Sequence, residues 1–189
     1  MHKKLSYAFT IAGVIALIYG SYIPVKAKVA QWLIQDAWSE SRTSKKKIKP
    51  WPWMDSTPVM KLSSDKHNQE FIVLSGDTGN VLAFAPGHNP GSYRPGQQGT
   101  VLISAHRDTH FSFLRKVDLG DGFILQGAYD DKEYIYQVSN IEIINSDLQD
   151  IEISDINANL KLVSCYPFNS IADSGPLRYV VTANLIKTT

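Results

Sequence analysis

Cysteine is almost absent from this sequence, since Cys165 is the only one in 189 residues. A single thiol excludes a disulfide within the chain, and outside the cytoplasm a leftover thiol indicates either a bridge to another chain or a reactive group. The alternative is a small buried side chain, because free cysteine packs well and is usually inert. Taken alone, the cysteine favours the buried interpretation.

The sequence also has no excess of charge of one sign. Its 19 Lys and Arg residues stand against 18 Asp and Glu residues, a net charge of +1. A nucleic-acid-binding protein normally concentrates Lys and Arg, so this balance argues against one. The basic residues gather once, at 41–50. No aromatic residues are interleaved with that run, and we interpret it as a solvated linker.

Charged residues are missing from the N-terminal run 5–23, LSYAFTIAGVIALIYGSYI, which follows Lys3 and Lys4. At helical rise this run is about 28 Å long, close to the thickness of the hydrocarbon layer. The best signal-peptide cleavage site, at 25–27, is poor because it contains a lysine. The run therefore predicts an uncleaved single-pass anchor, and the positive-inside rule favours an inside N-terminus with the following domain outside.

The segment after the anchor predicts a stalk. Residues 25–40 carry apolar side chains at helical spacing, which indicates an amphipathic helix continuing from the membrane. Pro50 and Pro52 end that pattern, since proline in a helix interior removes a hydrogen bond and kinks or breaks the helix. Trp51 and Trp53, beside these prolines, could anchor the linker either on the following domain or at the lipid interface.

No long helical pattern follows residue 57. Instead the sequence has short β-like runs separated by turn residues. The eight runs are 57–63, 70–76, 81–87, 100–106, 121–129, 133–144, 160–166 and 178–186. They predict an all-β fold, an antiparallel barrel or sandwich. The segment 129–133, YDDKE, predicts a hairpin turn, and the polar segment 146–157 predicts a short helix or a loop.

Ionisable residues follow a predicted strand in 101–111, VLISAHRDTHF. The end of a strand delivers such groups to the rim of a sheet, where functional sites collect. On a strand that continued through them, His106, Asp108 and His110 would share one face. With Cys165 as a further ligand they could hold zinc, although the motif is not a specific zinc signature. A metal site therefore stays open as an alternative.

Two other strand ends carry reactive groups. Cys165 ends the apolar run LKLV, and Arg178 opens the last predicted strand. An arginine in that position is usually a solvated edge residue when taken singly. Together with His106, however, these residues form a coherent nucleophilic site. Cysteine attacks, histidine transfers protons, and arginine stabilises a developing oxyanion.

Three motifs in this order, AHRDTHF, LVSCYPF and GPLRYVV, resemble those of the sortase family of membrane-anchored cysteine transpeptidases. The sequences HRDTHF and CYPF within these motifs most resemble those of the class GN sortases of Gram-negative proteobacteria. The resemblance covers about residues 57–187. It implies an eight-stranded antiparallel β-barrel with an N-terminal transmembrane helix and short connecting helices. The predicted parts are the cytoplasmic end and anchor (1–24), the stalk helix and linker (25–56) and the catalytic domain (57–189).

The resemblance also implies roles for individual residues. Cys165 matches the nucleophile, His106 the histidine and Arg178 the arginine of the family. Asp108 and His110 match residues common in the class GN branch and are assigned a supporting role. So is Ser164, which keeps a hydroxyl before the cysteine where the family pattern has threonine. The chain departs from that pattern Thr-Leu-x-Thr-Cys at Lys161, and Ala105 stands where many members have glycine.

The function implied by the resemblance is amide transfer outside the inner membrane, on the periplasmic side. Cys165 would attack a carbonyl in a Leu-Pro-x-Thr-Gly-like sorting signal at the C-terminus of a substrate protein, and an amine acceptor would release the resulting thioester. No cofactor is implied, and calcium activation is left open. Two alternatives remain: a cysteine peptidase that uses the same residues with water, and a non-enzymatic membrane-displayed β-domain with Cys165 in its core.

Overall fold

The computed structural model describes residues 2–170 and 175–189. Over these residues one long helix, α1 (His2–Ser44), precedes eight strands. The strands are β1 (Pro58–Ser64), β2 (Gln69–Ser75), β3 (Gly87–His88), β4 (Thr100–Ser104), β5 (Gly122–Gly127), β6 (Glu133–Asn145), β7 (Asn159–Cys165) and β8 (Leu177–Thr188). A single helical turn, α2 (Gly79–Leu82), precedes β3, and a short 3₁₀ helix (Ser112–Lys116) follows β4.

The strands close into a barrel in the order β1-β2-β3-β4-β7-β8-β6-β5, which confirms the predicted eight-stranded barrel. The antiparallel prediction is wrong for two pairs, because β2 runs parallel to β3 and β4 runs parallel to β7. In both places the chain crosses over before it returns, through α2 in one case and through β5 and β6 in the other. Periodicity predicts strands but not the direction of their neighbours, and such crossovers are what parallel pairing requires.

Seven of the eight predicted β-like runs correspond to strands, and the hairpin turn at 129–133 is confirmed by the antiparallel pair β5–β6. The exception is 81–87, VLAFAPG, which begins in the turn of α2 and reaches a strand only at Gly87. Val81 and Ala85, four residues apart, pack into one apolar cluster, so helical spacing is decisive over β propensity. Gly87 is required in β3, since a Cβ there would lie 2.2 Å from the Gly76 carbonyl oxygen.

Alternation along the strands fixes which side chains face the barrel interior. On β4, β7 and β8 the interior residues are Val101, Ile103, Leu160, Leu162, Val181 and Ala183. The alternate residues point outwards and form a second, smaller cluster, of Leu102, Val163, Val180 and Ile144. The outward face of these three adjacent strands is therefore itself partly apolar. The candidate site lies at the edge of this face where β4 and β7 end.

The second half of α1 lies against the outside of the barrel, which confirms the helix predicted over 25–40. Ile34 and Trp38 are 1% and 4% exposed, and they pack with Leu74 and Ala128 of the barrel wall. The stalk thus contributes to a shared core. By length and composition α1 is also able to cross a membrane, and among the described residues it is the one helix with that property.

A buried carboxylate joins the turn between β1 and β2 to the segment that precedes β5. Asp121, 7% exposed, accepts hydrogen bonds from Lys66 (2.6 Å), the His67 ring (2.7 Å) and the Asp118 backbone N–H (3.1 Å). Burial alone would raise the pKa of the Asp121 carboxyl. These hydrogen bonds outweigh burial and hold that pKa below its ordinary value.

We expect Asp121→Asn to destabilise the protein by about 1.5–3 kcal/mol at pH 7, because hydrogen bonds to a buried charged group are lost. A carboxyl with a depressed folded-state pKa stabilises above its unfolded value of about 3.9 and loses that contribution as pH falls through the folded value. Urea unfolding should therefore show the difference between wild type and variant shrinking below about pH 3.5.

The exposed Asp131, which pairs with Arg42 and Lys45, provides the control for this prediction. Asp131→Asn should change the free energy of unfolding by less than about 1 kcal/mol. Equal destabilisation by the two variants, or a pH-independent effect of Asp121→Asn, would contradict the assignment.

Candidate active site

The parallel pairing of β4 with β7 brings the carboxyl ends of both strands to the same edge of the barrel. Ser104 is the register partner of Val163, and the Ala105 N–H donates to the Val163 carbonyl at 3.1 Å. His106 follows Ala105 directly, at the edge of the barrel where Cys165 ends β7. His106 and Cys165 then belong to the outward-facing set, since Ala105 packs in the interior cluster.

The antiparallel pairing of β7 with β8 adds the third residue. Cys165 and Arg178 are direct register partners at the open end of the ladder. They lie in the outward alternation of Val163 and Val180, so they share a face. The structure therefore pairs Cys165 with Arg178 on neighbouring strands and brings His106, two residues after β4, to the same edge of the barrel. Cys165 and Arg178 are partly exposed and His106 is exposed, which leaves the three residues open to a substrate from solvent.

The arginine is held by the loop that precedes its strand. Its Nη1 donates to the Gly175 carbonyl at 2.7 Å and to the Leu177 carbonyl at 3.0 Å. These contacts hold one edge of the guanidinium at the start of β8. A planar group with five donors fixed in this way is suited to bind a carbonyl oxygen or an oxyanion.

The segment after Cys165 is fixed by aromatic side chains that sequence reasoning did not single out. Tyr166 stacks on Tyr179 with ring centroids 6.1 Å apart, and Phe168 meets Tyr179 edge-to-face at 5.0 Å. Arg107 donates from Nη2 to the Ser170 carbonyl at 3.0 Å, which ties the turn after β4 to the same segment. The sequence does contain a signal for these contacts. Bulky residues follow the cysteine in CYPF, and a charged residue follows the histidine in HRD.

Ser164 lies on the other face of β7 from Cys165. It is 2% exposed, and its Oγ donates to the Cys165 carbonyl at 3.4 Å. Its hydroxyl therefore contacts the backbone of the cysteine residue. Its supporting role stays a prediction, and this geometry restricts that role to the end of the strand.

His106, Asp108 and His110 do not share a strand face, because no strand continues through them. Strand β4 ends at Ser104, and residues 107–110 form a turn closed by a hydrogen bond from the Phe111 N–H to the His106 carbonyl (3.0 Å). The turn is required because Phe111 must enter the interior core, where it is fully buried. Asp108 is exposed in this turn.

His110 points away from the candidate site and towards α1. Its ring meets Phe71 edge-to-face at 5.8 Å and interacts with the Phe84 backbone. Gln31 of α1 donates to the same Phe84 carbonyl at 2.6 Å. Burial is the main cause that lowers the pKa of the His110 imidazole, and the charge of His106 adds to it. His110 therefore lies between the turn 107–110 and the stalk part of α1.

The zinc alternative receives no support from this geometry. Over 2–170 and 175–189, no three His, Cys, Asp or Glu side chains lie close enough together to hold a metal ion. The turn after β4 separates His110 from the face that carries Cys165, so the proposed ligands are divided between two surfaces.

Comparison with known proteins agrees with the fold. The family model described as "Sortase domain" matches residues 62–186, and the chain belongs to the sortase family. Sortase D of Bacillus subtilis (strain 168) is 30% identical over 121 residues, which are 64% of this chain. The match spans about 60% of the length of that curated relative.

Solved structures of other sortases share the fold. A Clostridium perfringens Sortase D5 transpeptidase superposes with a TM-score of 0.67 at 19% identity, over 85% of this chain and 99% of that one. Streptococcus agalactiae Sortase C1 gives 0.59 at 25% identity, over 68% and 66%. Listeria monocytogenes sortase A gives 0.58 at 20% identity, over 69% and 88%.

Proposed function

We propose that this protein is a membrane-anchored sortase that cleaves an LPxTG-like sorting signal through a Cys165 thioester and transfers the substrate protein to an amine acceptor. Members of the sortase family are cysteine transpeptidases. The observation that supports the proposal is the strand register, which pairs Cys165 with Arg178 and ends β4, two residues before His106, at the same edge of the barrel.

The chemistry follows from the three side chains. The thiolate of Cys165 attacks the substrate carbonyl, and Arg178 donates to the oxyanion that forms. His106 gives a proton to the leaving amine as the carbon–nitrogen bond breaks, which yields a thioester. An incoming amine then attacks the thioester and returns a proton to His106. One amide is broken, one is formed, and the thiolate is regenerated.

The finer assignments belong to the same proposal. The uncharged run 5–23 would serve as an uncleaved anchor, with the barrel on the extracytoplasmic side of the inner membrane. The length and apolar character of α1 support the assignment as an anchor. The class GN assignment is supported by the wording of HRDTHF and CYPF. The curated relative and the D5 structure carry a different class name, Sortase D, so motif wording alone argues for GN.

Transfer and hydrolysis are distinguished by their products. We expect the full chain in detergent to convert an LPxTG peptide into an amide when an amine nucleophile is present, and amide product should rise with amine concentration. Cleaved acid as the only product at every amine concentration would instead support a cysteine peptidase. A thiol that reacts with a small alkylating reagent only after unfolding would support the non-enzymatic β-domain. The partly exposed Cys165 argues against that outcome.

A further inference from the structure

Two neighbouring tryptophans have different surroundings. Trp51 packs edge-to-face on Phe84, with ring centroids 5.1 Å apart, and so belongs to the barrel wall. Trp53, two residues later, is 80% exposed. Tryptophan buries a large apolar area when it finds a partner, and its indole N–H favours a wet boundary. The structure explains Trp51 and leaves Trp53 without a packing role inside the described fold.

Trp53 lies at the mouth of a groove between α1 and the barrel. The groove has a volume of about 780 Å³. Apolar side chains dominate its lining, chiefly Val29, Leu33, Trp53, Met54, Val81 and Phe84, and Lys26 lies at its end. Val25 and Trp32 extend the exposed apolar surface along the same side of α1, at helical spacing from Val29. We call Val25, Val29, Trp32 and Trp53 the juxtamembrane surface.

The position of this surface along α1 relates it to the membrane. Ile23 ends the uncharged run, and Ala30 is already buried against the barrel, so at most about 10 Å of helix separates them. The headgroup region on each side of a bilayer is about 5–8 Å thick. The juxtamembrane surface therefore begins within the headgroup layer of any bilayer that α1 spans.

The β5–β6 turn lies much further along the same helix than the groove. Arg42 of α1 pairs with Asp131 of the β5–β6 turn at 3.0 Å. That contact is about 28 Å of helix beyond Ile23. Buried Ile34 and Trp38 hold the helix to the barrel between the groove and this turn. The contacts along α1 thus hold the groove near the start of the stalk and the β5–β6 turn near its far end.

We propose that the juxtamembrane surface docks into the headgroup layer of the bilayer that α1 spans, with Trp53 inserted and phospholipid occupying the groove. Aromatic side chains concentrate at this depth in membrane proteins. Lys26, which lines the groove, is placed to meet a lipid phosphate while its stem covers apolar surface. The inference rests on the proposed anchor, and it adds a second, peripheral contact that fixes the orientation of the catalytic barrel.

The test uses the full chain with Cys165→Ala, so that a new cysteine is the only thiol and no catalysis is needed. Trp53→Cys and, as the matched control, Lys132→Cys in the β5–β6 turn each receive a nitroxide label. Both proteins are reconstituted into vesicles of phosphatidylcholine and phosphatidylglycerol. Flotation of the vesicles first shows whether the chain is anchored. Electron paramagnetic resonance then compares collisions of each label with oxygen, which partitions into lipid, and with a water-soluble nickel chelate.

We expect the ratio of oxygen to nickel collisions to be at least about threefold higher at position 53 than at position 132, as for a side chain buried in the headgroup boundary. Equal ratios in a chain that floats would overturn the docking and leave the anchor intact. Failure to float would overturn both, whereas the peptide-transfer assay in detergent is unaffected by either result. Label–label broadening that depends on protein density would instead assign the groove to a second copy of the chain and overturn the proposal.

Discussion

Replacing Cys165 with alanine is expected to abolish peptide transfer, with a loss of at least about 10⁴-fold, because no covalent route remains without the nucleophile. Cys165→Ser should be nearly as inactive, since a hydroxyl ionises far less readily than a thiol. The measurement is single-turnover cleavage of an LPxTG peptide in the presence of an amine.

The fold should survive both substitutions. Cys165 is partly exposed at the end of β7, outside the interior core, so the free energy of unfolding should change by less than about 1 kcal/mol. Thermal unfolding of each variant provides this control. Transfer that persists in folded Cys165→Ala protein would show that another residue carries the substrate.

His106→Ala is expected to lower the transfer rate at least about a hundredfold, the usual cost of losing a general acid–base group. β4 ends two residues before His106, at the edge of the barrel where Cys165 ends β7. His110→Ala should cost about tenfold or less, through looser positioning of the turn. Its ring lies against Phe71 and the Phe84 backbone and not on the face that carries Cys165.

The two histidine variants serve as controls for each other, because they alter the same turn through the same substitution. Single-turnover rates measured with saturating peptide separate chemistry from binding, and circular dichroism verifies folding. If His110→Ala proved the more damaging of the two, the assignment of His106 as the catalytic histidine would be wrong.

The barrel is largely predictable from the sequence because its strands are short, apolar and separated by turn residues. The direction of pairing is not predictable in the same way. The parallel pairs β2–β3 and β4–β7 depend on crossovers whose path is decided by tertiary packing. Similarly, Gly87 is the last residue of a β-like run in the sequence but the first residue of β3 in the structure. The Gly76 carbonyl approaches it closely there, and this long-range contact is not visible in the local pattern.

The candidate site is predictable as chemistry but not as geometry. A lone thiol, an imidazole and a guanidinium at predicted strand ends are enough to indicate a nucleophilic site. Their alignment requires the parallel pairing of β4 with β7, which the sequence does not reveal. A straight strand, the condition under which His110 would share a face with His106, is not met because burial of Phe111 turns the chain after His106. A local sequence pattern does not show such a long-range packing demand.

The central claim, that Cys165 forms a thioester with the substrate, is tested most directly by peptide-mapping mass spectrometry. The full chain is incubated with a sorting-signal peptide without amine, quenched in acid and digested. The account predicts an adduct with the mass of the acyl fragment on the segment that contains Cys165. The adduct should disappear when an amine is added and should be absent from Cys165→Ala protein. Peptide cleavage without any adduct on Cys165, or an adduct on another residue, would contradict the account.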